Sequence, residues 1–224
     1  MRPINPSNQL SNGHAWVCGM SGSGKTQLAR RKLIKATDQV AIFDPLGDYQ
    51  GQLAGRVVRS YATIKSFAAA LLHGRKTKQG FKIAYAPPHE TTDKDFDKFC
   101  RVVWAAGNGL HTKPLKTICE EVAEHTNTSG KETGYYGKLL RLGRKYGIHT
   151  ISLFQRGQEV SKTIIDNCDL AYVMMQKTPK SARYLEELTG IEAQAISGLT
   201  VVDRVSCDYI EQRKKEWKKG IMRF

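Results

Sequence analysis

Short apolar runs alternate along this chain with stretches in which apolar residues recur every three or four positions. Short apolar runs between polar segments are typical of buried parallel strands, and the longer spacing is typical of the helices that connect them. The alternation therefore predicts an α/β fold, with a largely parallel central sheet flanked by helices and a strand-rich C-terminal end. The predicted strands are 15–18, 40–43, 57–60, 82–85, 115–119, 150–154, 170–174 and 201–209. The predicted helices are 25–36, 64–73, 95–106, 136–146, 158–167 and 180–188.

The chain of 224 residues predicts one domain, because no repeat, low-complexity tract or linker interrupts the pattern. Residues 1–13 are expected to be a polar lead-in and residues 14–224 the domain, with a basic tail at about 211–224. No run of 18 apolar residues occurs, and the lead-in lacks the apolar core of a signal peptide, so no membrane span is predicted. Five scattered cysteines without a CxxC pair favour reduced, buried thiols over a zinc site or disulfides.

The most specific motif is the loop Gly19-Met20-Ser21-Gly22-Ser23-Gly24-Lys25-Thr26, which fits G-x-x-x-x-G-K-[ST] at every fixed position, between a predicted strand and a predicted helix. Glycines let backbone N–H groups turn toward phosphate oxygens, and the helix N-terminus adds the positive end of its dipole. Lys25 is predicted to reach the β- and γ-phosphates of ATP, and Thr26 to offer its hydroxyl to Mg²⁺. The predicted nucleotide-binding residues are Gly19, Met20, Ser21, Gly22, Ser23, Gly24, Lys25, Thr26 and Gln27.

Two adjacent acids, Glu120 and Glu121, follow the predicted strand 115–119. A P-loop enzyme needs a carboxylate near Mg²⁺ and a base that aligns the attacking water. Neighbouring residues on a strand point in opposite directions, so Glu120 is predicted to hold Mg²⁺ and Glu121 to act as the base. The alternative is an ordinary helix N-terminus, where acids are common. The catalytic interpretation is favoured because no other apolar run in the chain ends in paired acids.

A third strand, 150–154, ends in Gln155, whose amide is predicted to bind the γ-phosphate or the attacking water. Before that strand lie the cations Arg141, Arg144 and Lys145. One interpretation of this cluster is an ordinary helix C-terminus, where cations are favourable. The other is an arginine finger that is offered to the nucleotide of a neighbouring subunit.

The chain carries 35 Lys and Arg against 21 Asp and Glu, a formal net charge of +14. Such a surplus favours binding to polyanions, nucleic acid first and an anionic membrane surface second, although a basic soluble protein without such a partner is also consistent with it. The candidate DNA contacts are Arg75, Lys76, Lys78, Lys131 and the C-terminal basic run, where Trp217 and Phe224 are interleaved.

Together these motifs resemble those of the FtsK/HerA superfamily of ring-forming, DNA-pumping ATPases. The segment Phe43–Tyr49 (FDPLGDY) is similar to the strand-end Asp-Pro segment of that superfamily, and 143–156 (GRKYGIHTISLFQR) to its GRKxG…Q segment. The run 164–169 (IIDNCD) resembles the segment that follows the sensor. The resemblance covers roughly residues 14–176 and implies that Arg144 acts in trans and that Gln155 is the γ-phosphate sensor.

Within that superfamily, the size of the chain is similar to that of the genome-packaging ATPases of tailless, internal-membrane icosahedral viruses. The resemblance implies an ATP- and Mg²⁺-dependent motor that acts on double-stranded DNA as a homo-oligomeric ring, expected to be a hexamer. Portal, vertex or membrane proteins of the virus are the implied further partners, in the host cytoplasm or at a packaging vertex of the virion. One departure is that the family's second acidic motif is usually Asp-Glu, whereas this chain has Glu120-Glu121, which leaves the division of roles between the two acids open.

Four alternatives remain at the level of sequence. A filamentous-phage morphogenesis ATPase of the zonula-occludens-toxin type would usually continue into a membrane span. A conjugation or chromosome DNA-pumping ATPase core would share the motifs. A scaffold that uses ATP as a switch would not need both a paired acid and Gln155. A small-molecule kinase would need an arginine-rich lid, which only the RLGR segment at 141–144 could imitate.

Overall fold

The computed structural model describes residues 6–224, so residues 1–5 of the predicted lead-in lie outside the described part. The strands are β1 (Ala15–Cys18), β2 (Gln39–Phe43), β3 (Gln52–Leu53), β4 (Arg56–Tyr61), β5 (Phe81–Tyr85), β6 (Leu115–Cys119), β7 (Ile148–Phe154), β8 (Leu170–Met174), β9 (Val201–Val202), β10 (Ser206–Arg213) and β11 (Glu216–Arg223). The α-helices are α1 (Lys25–Leu28), α2 (Ile64–Gly74), α3 (Asp93–Ala106), α4 (Gly134–Leu142), α5 (Lys162–Asn167), α6 (Pro179–Thr189) and α7 (Ala193–Ser197). A π-helical turn, Ala29–Leu33, continues α1, and 3₁₀ turns lie at Val122–His125, Gly143–Tyr146 and Gly157–Glu159.

The strands form one sheet in the order β11-β10-β8-β1-β7-β6-β2-β5-β4-β3, with β9 paired to β10. The seven strands from β8 to β4 in that order run parallel, while β10, β11 and β3 pair antiparallel with their neighbours. A parallel pair needs a crossover connection, and the chain supplies one between successive parallel strands. The predicted fold class, a largely parallel sheet with a strand-rich C-terminal end, is confirmed.

The core lies on both faces of the sheet, because alternate residues of a strand point to opposite faces. In β1, Trp16 and Cys18 pack into the cluster that helices α2 to α7 cover, while Ala15 and Val17 pack into a second cluster. That second cluster contains Leu28, Ala29 and Leu33 of α1 and its π-helical turn. The helix that follows the P-loop thus covers one face, and the other helices cover the opposite one.

The C-terminal basic run differs from the predicted tail. Residues 211–213 complete β10 and residues 216–223 form β11, which pairs with β10 along eight residues. In β11 only Met222 is buried, so its sequence has no apolar alternation that would indicate a strand. The hairpin extends the sheet past β8 and places residue 224 close to the P-loop.

Within residues 6–224, no helix has the length and apolar character that a membrane crossing requires.

Candidate functional site

Four neighbouring parallel strands, β1, β7, β6 and β2, end at the same edge of the sheet. The P-loop begins at Gly19 after β1, and Gln155 follows β7. Glu120 follows β6, and Asp44 follows β2. Because β7 lies between the P-loop strand and the acidic strand, its end places Gln155 between the two. Carboxyl ends of parallel strands are where α/β folds build their ligand sites.

The P-loop has the backbone geometry that its glycines permit. Gly22 and Gly24 have φ values of 77° and 92°, a region that other residues enter at a cost. Gly24 then caps α1, so the loop leads directly into a helix N-terminus. The Lys25 side chain is largely buried, and its ammonium Nζ donates to the carbonyl oxygen of Met20 at 3.3 Å across the loop. This arrangement forms a concave, positively polarised cradle for phosphate oxygens.

Glu120 lies buried beside the start of α1. Burial raises the pKa of its carboxyl group to about 7, hydrogen bonds from Tyr49 and the Thr26 hydroxyl oppose that shift, and the nearby Glu121 adds to it. The Tyr49 hydroxyl donates to Oε1 of Glu120 at 2.6 Å. A carboxylate and a hydroxyl are hard oxygen donors, which is the ligand chemistry that Mg²⁺ prefers, so Glu120 and Thr26 fit the predicted metal ligands.

Tyr49 is a site residue that the motifs did not indicate. Both carboxylate oxygens of the buried Asp44 accept backbone N–H bonds, from Asp48 at 2.8 Å and from Tyr49 at 3.1 Å. Asp44 thereby folds the loop after β2 and brings the Tyr49 side chain to Glu120. The FDPLGDY segment that carries the family resemblance is thus a support for the acidic strand end. A sequence alone gives no signal for a contact between residues 71 positions apart.

Glu121 leaves β6 in the left-handed region, with φ 46° and ψ 47°, and begins the 3₁₀ turn that follows. Its side chain lines the same pocket as the P-loop. Gln155 donates from Nε2 to Oε2 of Glu121 at 3.5 Å. Glu120 contacts Tyr49 and Glu121 lines the pocket, and the backbone between them departs from the alternation of a strand through a strained left-handed turn.

The pocket in front of the P-loop has a volume of about 560 Å³, within the range of small-molecule sites. The residues that line it are Ser21, Gly22, Gly24, Lys25, Thr26, Gln27, Arg31, Leu46, Asp48, Glu121, Asp203, Arg204 and Phe224. Six of the nine predicted nucleotide-binding residues line this pocket, and the three that do not are Gly19, Met20 and Ser23. The pocket residues of the π-helical turn, the loop after β2, the β9–β10 turn and position 224 were not predicted to bind nucleotide.

Arg144 lies at the opposite edge of the sheet. It belongs to the 3₁₀ turn that precedes β7, whereas Gln155 follows β7, and a strand of seven residues spans about 20 Å. Its Nη1 donates to the carbonyl oxygens of Asn8 and Leu10. The structure therefore does not bring Arg144 to the nucleotide pocket of its own chain, and its predicted role in trans stays a prediction.

Arg141 and Arg156, which flank Arg144 in the sequence, have partners within the chain. Arg141 donates from Nη1 to the carbonyl oxygen of Glu132 at 2.5 Å. Arg156 lies next to Gln155, at the same edge as the P-loop, and pairs with Glu159 at 3.5 Å with half of its side chain exposed.

Among the candidate DNA contacts, the prediction for Arg75 is wrong, because its side chain is buried. Its guanidinium donates to the side chain of Gln39 and to the carbonyl oxygens of Ala106 and Lys113, and burial lowers its pKa to about 10. Arg75 therefore joins α2, α3 and the start of β2, and has no free face for DNA. Lys76, Lys78 and Lys131 are exposed.

No protein-family model matches the chain. Among characterised proteins, it is 27% identical over 201 residues to Protein P9 of Pseudoalteromonas phage PM2, across 89% of this chain and 85% of P9. Among solved structures, the genome-packaging NTPase B204 of Sulfolobus turreted icosahedral virus 2, in complex with AMPPCP, superposes with a TM-score of 0.67 at 14% identity. That match covers 93% of this chain and 96% of B204. VirB4 of Thermoanaerobacter pseudethanolicus gives a TM-score of 0.60 at 11% identity, over 93% of this chain and 89% of VirB4.

The chain has the P-loop NTPase fold of these neighbours. The fold that the motif resemblance implied is thereby confirmed, since the neighbours include a viral genome-packaging NTPase and a VirB4 protein. In this fold the P-loop, the paired acids and Gln155 lie together on three adjacent strand ends, β1, β6 and β7.

Proposed function

We propose that this protein is an ATP-hydrolysing motor that translocates double-stranded DNA, and that its task is the packaging of a viral genome into a preformed capsid. One observation carries the proposal: Lys25, Thr26 and Glu121 line one pocket, while Glu120 contacts Thr26 and Gln155 contacts Glu121. The fold of B204, described as a genome-packaging NTPase, supports the choice of task.

The residues of the pocket divide the chemistry of phosphoryl transfer among them. The P-loop N–H groups and Lys25 bind the β- and γ-phosphates, where negative charge accumulates during cleavage. Thr26 and Glu120 hold Mg²⁺, which when bound neutralises charge on the phosphate oxygens. Glu121 orients and deprotonates the attacking water, and the Gln155 amide, which already contacts Glu121, binds the γ-phosphate or that same water.

Arg144 completes the site from a neighbouring subunit. Its place at the far edge of its own sheet excludes a role at its own nucleotide. The proposal therefore requires a ring in which the far edge of one subunit meets the pocket of the next. A guanidinium offered in trans stabilises the transferring charge and makes hydrolysis depend on assembly. The ring is expected to be a hexamer.

The surplus of positive charge suits a motor that must pass any sequence. Contacts of Lys and Arg with phosphates are independent of base sequence and sensitive to salt. Exposed lysines such as Lys76, Lys78 and Lys131, and those of the β10–β11 hairpin, are the proposed contacts.

The test is the ATPase rate with and without linear duplex DNA. Wild type is expected to hydrolyse ATP and to be stimulated by duplex, while Lys25→Ala loses ATP binding and Glu121→Gln retains binding but loses about 10²-fold or more in rate. Hydrolysis that duplex DNA leaves unchanged would refute the motor, and a Glu121→Gln variant with the wild-type rate would refute the assigned base.

A conjugation-type DNA pump is the second candidate, because the fold also matches VirB4. Both functions predict DNA-stimulated hydrolysis, so the ATPase rate does not separate them. Co-sedimentation of the protein with empty capsids of the virus, dependent on ATP, is expected only for the packaging motor.

A further inference from the structure

The pocket extends beyond the P-loop toward residues that no motif explains. Besides the loop and Glu121, its lining includes Arg31 of the π-helical turn, Asp203 and Arg204 of the β9–β10 turn, and Phe224. Phosphate binding uses the loop and the helix N-terminus and leaves these residues without a role. A nucleoside triphosphate, however, has a second half, a ribose and a flat base, that must lie somewhere outside the phosphate cradle.

Phe224 lies directly on the phosphate loop. An atom placed at the missing Cβ of Gly24 would be 3.0 Å from Cζ and 3.2 Å from Cε1 of the Phe224 ring. The residue as a whole is 37% exposed and lines the pocket, while its ring touches the loop at Gly24. An aromatic ring beside the phosphates, partly open to the cavity, is a platform on which a flat base can stack.

The backbone around Phe224 is fixed at three points. The N–H of Phe224 donates to the carbonyl oxygen of Val205 at 2.9 Å, and Arg31 donates from Nη1 to the carbonyl oxygen of Arg223 at 3.0 Å. Met222, two residues earlier, is buried in the core. The ring is therefore presented to the pocket by the sheet and by the helical segment that follows the P-loop.

The β9–β10 turn supplies polar groups to the same part of the pocket. Arg204 stands in the left-handed region with φ 54°, which turns the chain sharply between β9 and β10. Asp203 and Arg204 are both exposed and both line the pocket. A carboxylate and a guanidinium next to an aromatic ring are the groups that hydroxyls and the polar edge of a base can hydrogen-bond.

We propose that Phe224 and the Asp203–Arg204 turn form the nucleoside subsite, in which the Phe224 ring stacks on the adenine of ATP and the turn contacts the ribose and the edge of the base. The inference rests on the proposed function, because it assigns the base and ribose of ATP to the part of the pocket that the phosphates do not occupy. It gives the β10–β11 hairpin a function, because the hairpin positions the ring.

The test compares ATP with inorganic tripolyphosphate as ligands in calorimetric titrations without DNA. Stacking on an aromatic side chain is worth about 1–3 kcal/mol per base, so Phe224→Ala is expected to weaken ATP binding by roughly 5- to 150-fold. Tripolyphosphate has no base, and its affinity is expected to stay at the wild-type value. Phe224→Trp is expected to restore ATP binding. Trp217→Ala, which removes an exposed ring outside the pocket from β11, the strand that leads to Phe224, is the matched control and is expected to leave both affinities unchanged.

The outcomes separate this subsite from the proposed function. If Phe224→Ala binds ATP as tightly as wild type, or loses ATP and tripolyphosphate affinity equally, the ring is only a support for Gly24 and the subsite is wrong. If wild type itself binds no ATP, the proposed function fails first, and Lys25→Ala then shows no difference from wild type.

Discussion

The Tyr49 hydroxyl joins the loop after β2 to the acidic end of β6. It is 2.6 Å from Oε1 of Glu120, and both side chains are buried. A buried carboxylate with a fixed donor has one preferred orientation, and here that orientation keeps Glu120 beside Thr26. Tyr49 is thus a positioning residue for the predicted magnesium ligand.

Replacing Tyr49 by Phe is expected to weaken the magnesium dependence of hydrolysis. The variant removes the donor but keeps the ring, so Glu120 loses a bond worth about 1–3 kcal/mol, and more Mg²⁺ is needed for half-maximal rate, by roughly 5- to 100-fold. Steady-state rates against Mg²⁺ concentration measure this. ATP binding in the absence of Mg²⁺ is expected to stay unchanged.

The matched control is Tyr136→Phe, which removes an equally buried hydroxyl that lies 2.6 Å from Oγ of Ser152, on the opposite face of the sheet. Tyr136→Phe is expected to lower the free energy of unfolding without changing the Mg²⁺ concentration needed for half-maximal rate. Equal shifts in both variants would show that Tyr49 acts only through general stability.

His14 gives the fold a defined pH dependence. Its Nδ1 accepts the backbone N–H of Thr150 at 2.9 Å, which ties the residue before β1 to β7. Burial lowers the pKa of His14 to about 3, and the charges of His149 and Arg144 add to that shift. The folded protein therefore keeps this ring neutral, while the unfolded chain protonates it below its ordinary pKa of 6.5.

The stability that depends on neutral His14 is fully present above pH 6.5 and decreases as the pH falls toward 3. Between pH 7 and pH 5, wild type is expected to lose about 2 kcal/mol more unfolding free energy than His14→Gln, which retains an acceptor but does not titrate. Urea denaturation at the two pH values measures both losses. Equal losses would mean that His14 is protonated in the fold.

At the scale of elements, the buried strands were the most predictable part. The bounds of β1, β6 and β8 agree with the apolar runs at 15–18, 115–119 and 170–174, because strands buried on both faces are continuous in hydrophobicity. The helix predicted over 25–36 has its last helical turn, in π geometry, at Ala29–Leu33. The strand β11 was missed because an edge strand with one buried side chain lacks any pattern.

The site was predictable only where a local motif encodes it. The P-loop residues are contiguous with one another, and so are the two acids, so each motif could be recognised in the sequence and given a chemical role. Tyr49 reaches Glu120 through the folding of a loop, and Phe224 reaches the pocket through an edge hairpin. Long-range contacts of these kinds leave no local signal. The candidate Arg75 failed for the same reason, since its burial depends on the packing of α2 against α3.

Arg75→Gln is expected to destabilise the fold and not to act through DNA. The change removes charged hydrogen bonds between α2, α3 and β2, and the free energy of unfolding is expected to fall by about 2–4 kcal/mol in chemical denaturation. The exposed neighbour Lys76→Gln is the control, with a change within about 0.5 kcal/mol. Wild-type stability in Arg75→Gln would contradict the structural role.

At the scale of the whole molecule, the proposed catalytic site needs both edges of the sheet: the pocket at one edge, and Arg144 of a neighbouring subunit from the other. The nucleotide pocket lies at the carboxyl ends of the parallel strands, and Arg144 lies at the amino end of β7. Hydrolysis per subunit is therefore expected to rise steeply with protein concentration.

Mixing two inactive variants tests this arrangement. Arg144→Ala is expected to bind ATP but to lose about 10³-fold or more in rate, and Lys25→Ala to bind none. In a mixed ring, a Lys25→Ala subunit supplies its intact Arg144 to an Arg144→Ala neighbour, so part of the wild-type rate returns. Mixtures that stay inactive, or a monomer with full activity, would show that Arg144 is not a finger in trans and serves to hold residues 8–10.

The measurement that tests the motor most directly is the ATP-dependent displacement of a triplex-forming oligonucleotide from linear duplex DNA. Wild type is expected to release the oligonucleotide with ATP, at a rate that falls with rising salt, while Glu121→Gln binds ATP and DNA without releasing it. If wild type hydrolyses ATP without displacing the oligonucleotide, the energy of ATP hydrolysis is not used to move DNA, and the account is contradicted.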